Sequence, residues 1–203
     1  MPVAVAMGRL GLTPNALTVL GFLGTCAAAG AAALQWWVAA GVLVLAFGIF
    51  DLFDGALARA TGRASQFGAF LDSTLDRTGE NLVLAGIAFG AAVAGFPALA
   101  GLAALAMAFA SVVTYARAKA EVVGIKGDVG VAPRPERLVV LALGLMLAGL
   151  PWSEGRTLNA SLTNGNTLLA IALALIAGLS AITVVQRILA VRRQLDIPRV
   201  PRV

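Results

Sequence analysis

The chain has 203 residues, 60% of them hydrophobic and 12% charged, with a net charge of +5 and a mean hydropathy of +0.91. An ordinary soluble domain carries roughly 25% charged residues, so this composition cannot furnish a water-facing surface, and lipid is the expected solvent. A single cysteine, Cys26, excludes an internal disulfide and a cysteine-based metal site, and the absence of histidine leaves acid–base chemistry to carboxylates, Lys, Tyr or water.

In chain order, a short amphipathic lead (MPVAVAMGRLGL) precedes TPN, where Thr13 or Asn15 can cap a helix and Pro14 suits its first turn. A first span is expected over about 15–35. Arg9, the apolar run and the alanines before Gln35 imitate a secretory leader, but the run has the length of a full span. Trp36 and Trp37 stand where an aromatic belt would lie, and a second helix follows over about 37–60. ATGRAS (60–65) introduces a third helix over about 66–94, and GFP (95–97) turns the chain into a fourth over about 97–123. VGIKGDVGVAPRP (123–135) is the clearest loop. A fifth helix over about 135–150, a polar loop over 151–166 and a last helix over about 167–194 complete one domain, 1–203. The expectation is an all-α integral membrane protein of six transmembrane helices.

With six spans, Arg9, Arg63, Lys126, Arg134, Arg192, Arg193, Arg199 and Arg202 fall on one side, against Arg156 on the other. The positive-inside rule then makes both termini cytoplasmic in a multi-pass protein of the cell membrane. The basic pI reads as topology and attraction to anionic membrane lipids, without nucleic acid.

The polar exception to this pattern is DLFDGALARATGRASQFGAFLDSTLDR (51–77), which holds Asp51, Asp54, Asp72 and Asp76. Asp51, Asp54 and Ala58 share one face of the second helix, and Gly68, Asp72 and Asp76 share one face of the third. Placed on antiparallel neighbours, the four carboxylates converge near the cytoplasmic ends. Ionisable groups inside spans each cost roughly 2.5–3.5 kcal/mol on insertion scales, and the direct remedy for four facing anions is a divalent cation. Oxygen-only ligands favour Mg²⁺ or Mn²⁺, and two such ions suit transfer at phosphorus. Gly55 and Gly68 leave room for a bulky ligand and Arg59 can grip phosphate. The combination points to a nucleotide diphosphate. An intramembrane cation or proton transporter is the rival from another class, but it has no need of DG and AR at these offsets. Glu80, one turn past Asp76, reads as a helix-pair partner rather than a ligand.

Written D-x2-D-G-x2-A-R-x8-G-x3-D-x3-D, this stretch resembles the signature of the CDP-alcohol phosphotransferase family at eight fixed positions over 26 residues. The resemblance extends over the whole chain, including a PNALT element before the first span. It implies that Asp51, Asp54, Asp72 and Asp76 hold two metal ions and that Asp76 is also the general base. Gly55, Ala58, Arg59 and Gly68 are then the cytidine diphosphate pocket, with Thr18 touching the nucleotide. In the family, an acceptor hydroxyl attacks the lipid-linked phosphorus of a donor such as CDP-diacylglycerol and CMP leaves. A homodimer is also implied, and GIAFG (86–90) can pack closely with another helix.

A second polar cluster bears on the acceptor. Thr114 and Arg117 share a face of helix four, Lys119 points elsewhere and can snorkel, and RPERL (134–138) opens helix five with Pro135 in its first turn, a natural phosphate site. Arg134 by itself reads as a positive-inside flank, whereas Arg137 lies within the helix. The cluster is similar to that of family members whose acceptor is inositol phosphate. This implies Thr114, Arg117, Arg137 and Arg187 as the residues on the acceptor phosphate. Thr114 stands where a serine is expected, and the order of Lys and Arg in helix four is exchanged. Glycerol phosphate, which also offers a hydroxyl and a phosphate, is the alternative acceptor.

Overall fold

The computed structural model describes residues 13–60, 62, 64–125, 127, 129–131, 133–150 and 165–196, without the side chains of 49–56, 59, 60 and 165. The expected N-terminal amphipathic segment, the 151–164 part of the second polar loop and the last residues of the tail lie outside them. Six helices carry the described chain: α1 (Pro14–Ala33), α2 (Trp37–Ala60), α3 (Gln66–Val93), α4 (Pro97–Val122), α5 (Arg134–Ala148) and α6 (Gly165–Leu195). The expected boundaries agree to within one or two residues because caps punctuate the chain. Thr13 accepts from the Ala16 amide at 3.2 Å and Ser65 from the Gly68 amide at 3.0 Å, each closing the first turn of its helix.

Helices α1, α3 and α4 end alike. After α3, the Phe96 amide donates to Ala91 and the Gly95 amide to Ala92, with Gly95 at φ +80°. This is a Schellman ending, in which the left-handed residue favours glycine. Gly124 plays the same part after α4. After α1 the position is filled by Gln35 at φ +61°, a residue with nothing in its type to announce the role.

The helices pack as a closed ring in the order α1, α2, α5, α6, α4, α3. The expectation that α2 and α3 are direct neighbours is corrected: α1 packs closely against both and stands between them. The reason is the small residues of α1 and of its partners. A Cβ on Gly24 would lie 2.1 Å from the Phe47 ring of α2, and one on Gly86 of α3 would lie 2.3 Å from the Ala29 carbonyl oxygen. GIAFG therefore does pack closely with another helix, but that helix is α1 of the same chain.

The interior inverts the pattern of a soluble protein. Ala28, Ala32, Ala40, Ala91, Ala103, Ala106 and Ala142 are fully buried, as are Leu57 and Ile87. Phe67, Phe70, Phe89 and Val93 point outward. Lipid supplies no hydrophobic drive between helices, so close approach of small residues supplies dispersion contact instead. Pro14–Ala33, Pro97–Val122 and Asn166–Leu195 are long and apolar enough to cross a membrane. The remaining helices carry the expected site: α2 holds Asp51, Asp54 and Arg59, α3 holds Asp72, Asp76, Arg77 and Glu80, and α5 is a 15-residue helix opening with RPER.

Gly86→Ala should lower the thermal midpoint in detergent, since overpacking against backbone costs roughly 1–3 kcal/mol. Gly101→Ala, where an added Cβ meets nothing within 4 Å, should leave the midpoint unchanged or raise it, because alanine is the better helix former by about 1 kcal/mol. Equal midpoints for the two variants would refute the close α1–α3 packing.

Candidate active site

Helix α3 presents Asp72, Asp76 and Glu80 one turn apart on a single face. Asp72 and Asp76 are half-buried, and Glu80 is buried. Facing them is the first turn of α5, whose Arg134 and Arg137 are three residues apart and also share a face. Arg134 Nη1 donates to Asp76 Oδ2. Arg137 Nε donates to Glu80 Oε1 at 2.9 Å and its Nη2 to Oε2 at 3.0 Å, a two-pronged pair with side chains 3% and 5% exposed. The two rungs run in the same order along both helices, so α3 and α5 lie parallel in the chain direction. They are not adjacent in the ring, and the pairs therefore bridge its interior.

Glu80 is thus a helix-pair partner, of a helix 57 residues away. Arg134, expected as a flanking charge, is instead the partner of Asp76, because α5 begins at this residue and its first turn faces α3. A buried pair of this geometry is costly to break: removing one partner costs about 3–5 kcal/mol, since the other charge stays behind in a dry place. A cavity of about 10 Å³, room for about one water, lies beside both rungs among Thr25, Val44, Val83 and Leu141.

At the N-terminus of α3, a Cβ on Gly68 would lie 3.1 Å from Asn15 Oδ1 and Ser65 Oγ. Asn15 of α1 thus closes over the glycine of the motif. Thr18, one turn further along α1, is buried and donates to the Pro14 carbonyl at 3.2 Å. Ala58 is half-buried on α2. Asp51, Asp54, Gly55 and Arg59 belong to the helical run of α2, and their side chains lie outside the described residues. The expected meeting of all four aspartates lies outside the described residues, which include the side chains of Asp72 and Asp76 alone. Among the described residues no group of three or more His, Cys, Asp or Glu side chains forms a metal cluster. The donors that are described fit a hard cation: two carboxylates one turn apart, on a face with neither sulfur nor imidazole.

The residues expected at the acceptor occupy two settings. Arg187 of α6 is buried and donates to the Val129 carbonyl at 2.9 Å and the Val113 carbonyl at 2.5 Å. It ties α6 to α4 beside Thr114 and to the α4–α5 loop, and Gly127 of that loop packs on the Arg117 backbone. Thr114 donates to the Ser111 carbonyl at 2.8 Å, and exposed Arg117 pairs with Glu121 at 3.0 Å. Lys119 turns to the Tyr115 ring, 5.6 Å from its centroid. A groove of about 470 Å³ opens between α4 and α6 beside Lys119, Arg187 and Arg192. Arg137 lies apart, in its pair with Glu80.

Over residues 11–184 the chain matches the family described as CDP-alcohol phosphatidyltransferase. It is 37% identical over 202 residues to a phosphatidylinositol phosphate synthase of Mycolicibacterium smegmatis, covering 94% of this chain and 82% of that protein. It is 36% identical to an archaetidylinositol phosphate synthase of Pyrococcus horikoshii, covering 94% and 89%. Its fold is similar to the crystal structure of Mycobacterium tuberculosis phosphatidylinositol phosphate synthase with CDP-DAG bound, at a TM-score of 0.82 and 30% identity, covering 100% of this chain and 96% of that one. The same enzyme in complex with manganese and citrate gives 0.83, covering 100% and 92%. The chain belongs to the CDP-alcohol phosphatidyltransferase family. It is a membrane protein and a transferase of phospholipid synthesis.

Arg187→Ala removes two hydrogen bonds from a charged donor, each worth about 1.5–3 kcal/mol. The thermal midpoint should fall and amide exchange at 129–131 should quicken. Arg117→Ala, which loses an exposed i,i+4 pair worth about 0.3–0.5 kcal/mol, should leave both measurements near wild type. Unchanged exchange in Arg187→Ala would show that the loop is held by other contacts.

Proposed function

We propose that this chain transfers the phosphatidyl group of CDP-diacylglycerol to a hydroxyl of inositol phosphate and releases CMP. The observation that supports this most is the contact of Arg134 with Asp76, which puts the basic first turn of α5 against the carboxylate face of the family motif. Acceptor-binding cations beside the reacting centre are what a phosphorylated alcohol requires. Relatives at 36–37% identity named for inositol phosphate lipids support the same acceptor.

Asp51, Asp54, Asp72 and Asp76 would hold two divalent ions, Mg²⁺ or Mn²⁺, which when bound neutralise the oxygens of the diphosphate and of the leaving CMP. Gly55 and Ala58 leave space for the cytidine, Gly68 forms a wall of the same pocket with Asn15, Arg59 grips phosphate and Thr18 touches the nucleotide. Asp76 takes the proton of the acceptor hydroxyl as its oxygen attacks the lipid-linked phosphorus. The new P–O bond forms while the bond to CMP breaks, and CMP departs with the electron pair. Thr114, Arg117, Arg137 and Arg187 orient the acceptor through its phosphate. A guanidinium carries five N–H donors, of which Glu80 takes two from Arg137. The site lies at the cytoplasmic end of six spans, with both termini cytoplasmic, and the enzyme is a homodimer. The GIAFG face is already filled by α1, so the dimer uses another surface.

Purified protein given CDP-diacylglycerol should turn over with inositol phosphate and poorly with free inositol or serine. Arg117→Ala should raise the acceptor KM by about one to two orders of magnitude, as loss of a charge-assisted contact implies, with the CDP-lipid KM nearly unchanged. Equal turnover with glycerol phosphate, or a silent Arg117→Ala, would overturn the acceptor assignment.

Activity should vanish in EDTA and return with Mg²⁺ or Mn²⁺. Asp76→Asn should keep CDP-lipid binding while losing transfer. Parallel loss of both would make Asp76 chiefly a ligand rather than the base.

A further inference from the structure

We propose that the groove between α4 and α6 is a binding site for an anionic phospholipid, with an acyl chain along its apolar walls and the headgroup phosphate between Lys119 and Arg192. The inference goes beyond the transfer reaction. No motif carboxylate is among the described residues that line this groove, and neither cation has a part in the chemistry proposed above.

The groove follows from where the two helices are tied. Arg187 of α6 donates to the Val113 carbonyl of α4 and joins the helices at that level. Toward their C-terminal ends α4 offers only Ala116 and Ala120, one turn apart. A space of about 470 Å³ is left between these alanines and Ile188, Val191 and Leu195 of α6. Ligand cavities commonly measure roughly 300–1,000 Å³. Ile188 and Leu195 are exposed, and α4 and α6 are two of the helices long and apolar enough to cross a membrane. An apolar groove on the flank of such helices is filled by an acyl chain rather than by water.

The charges decide which lipid. Lys119 from α4 and Arg192 from α6 line the same space from opposite walls, and both are exposed. Lys119 makes no hydrogen bond or ion pair among the described residues; its ammonium rests over the Tyr115 ring at 5.6 Å. Arg192 Nε faces Asp196 Oδ2 at 3.7 Å, too long for a hydrogen bond, with side chains 77% and 71% exposed. With Arg187 included, three cations and one carboxylate line the groove, a surplus of two positive charges. A molecule with an apolar limb and a negative head satisfies both the walls and the charge. Basic pockets between membrane helices hold anionic head groups in this way, and lysine and arginine reach them by snorkelling on apolar stems. A small water-soluble phosphate has no use for the apolar walls. A second copy of the chain, meeting this face about a twofold axis, would set like charges together.

The test is lipid retention by the purified full chain in detergent, counted by native mass spectrometry. The protein is titrated with phosphatidylglycerol or with phosphatidylcholine of the same acyl chains. Two cations near a headgroup together favour the anionic lipid by about 30-fold, and wild type should show a preference of that order. Lys119→Gln combined with Arg192→Gln should remove the preference and leave phosphatidylcholine binding unchanged. Arg193→Gln, one residue along α6 but not on the groove wall, should keep it. Ala116→Phe, which fills the apolar space, should weaken retention of both lipids. Equal affinity for the two lipids in wild type would overturn the proposal. So would a loss in Arg193→Gln as large as in the double variant, since the basic charge would then act without a site. Displacement of phosphatidylglycerol by inositol phosphate would overturn it as well, by making the groove part of the acceptor site. A changed dimer-to-monomer ratio in the double variant, with lipid retention intact, would put a second copy of the chain in the groove instead.

Discussion

The constraint on which the structure turns is that a charge inside a helical bundle must meet its opposite there. Arg137 and Glu80 are almost wholly buried and answer each other with two hydrogen bonds. One turn toward the N-termini of both helices, Arg134 answers Asp76 at the partly exposed end. These two rungs join α3 and α5 across the ring rather than along its rim. They fix both the register and the parallel sense of the two helices, which side chains of Ala and Leu could not do alone. The carboxylate face of α3 and the basic first turn of α5 are held together by the same contacts.

Around this polar seam the bundle relies on smallness. α1 is the shared neighbour of α2 and α3, and it can be so because glycines and alanines line its contacts. Gly24 leaves space for Phe47, and Gly79, Gly86 and Gly90 let α3 close on Thr25, Ala29 and Ala32. The large side chains, Phe67, Phe70 and Phe89 among them, are turned outward, where lipid tails accept them at no cost. The N-terminus of α1 is thereby brought to the N-terminus of α3, and Asn15 comes to lie over Gly68. A motif residue on one helix and a capping-segment residue on another become one wall.

The α4–α6 side is organised differently. Arg187 does not project from α6 into open space; it donates to two backbone carbonyls, one in α4 and one in the α4–α5 loop. The loop that leads into RPER is therefore pinned by the same cation that lies next to Thr114. Burial of a guanidinium against carbonyl oxygens orders the segment connecting the two basic helices. Arg117, exposed and loosely paired, is the adaptable member of the group.

Much of this enzyme was legible in the chain itself. Apolar run lengths, TPN as a helix start, the ATGRAS break, the GFP turn and the VGIKGDVGVAPRP loop placed six helices to within a residue or two, because those signals act through the local backbone. Eight motif residues at fixed gaps carried the family and the metal-type chemistry, because spacing on a helix determines which side chains share a face. Gln35 escaped notice as a helix stop, since a left-handed turn is marked in sequence only when glycine occupies it. The pairing of Glu80 with Arg137, the conversion of Arg134 from a flank into the partner of Asp76, the place of α1 between the two motif helices and the use of GIAFG inside the protomer were decided by tertiary structure alone. The helical period says which residues face the same way, but the residues they face are chosen by the order in which six helices close into a ring, and that order depends on contacts between residues more than fifty positions apart.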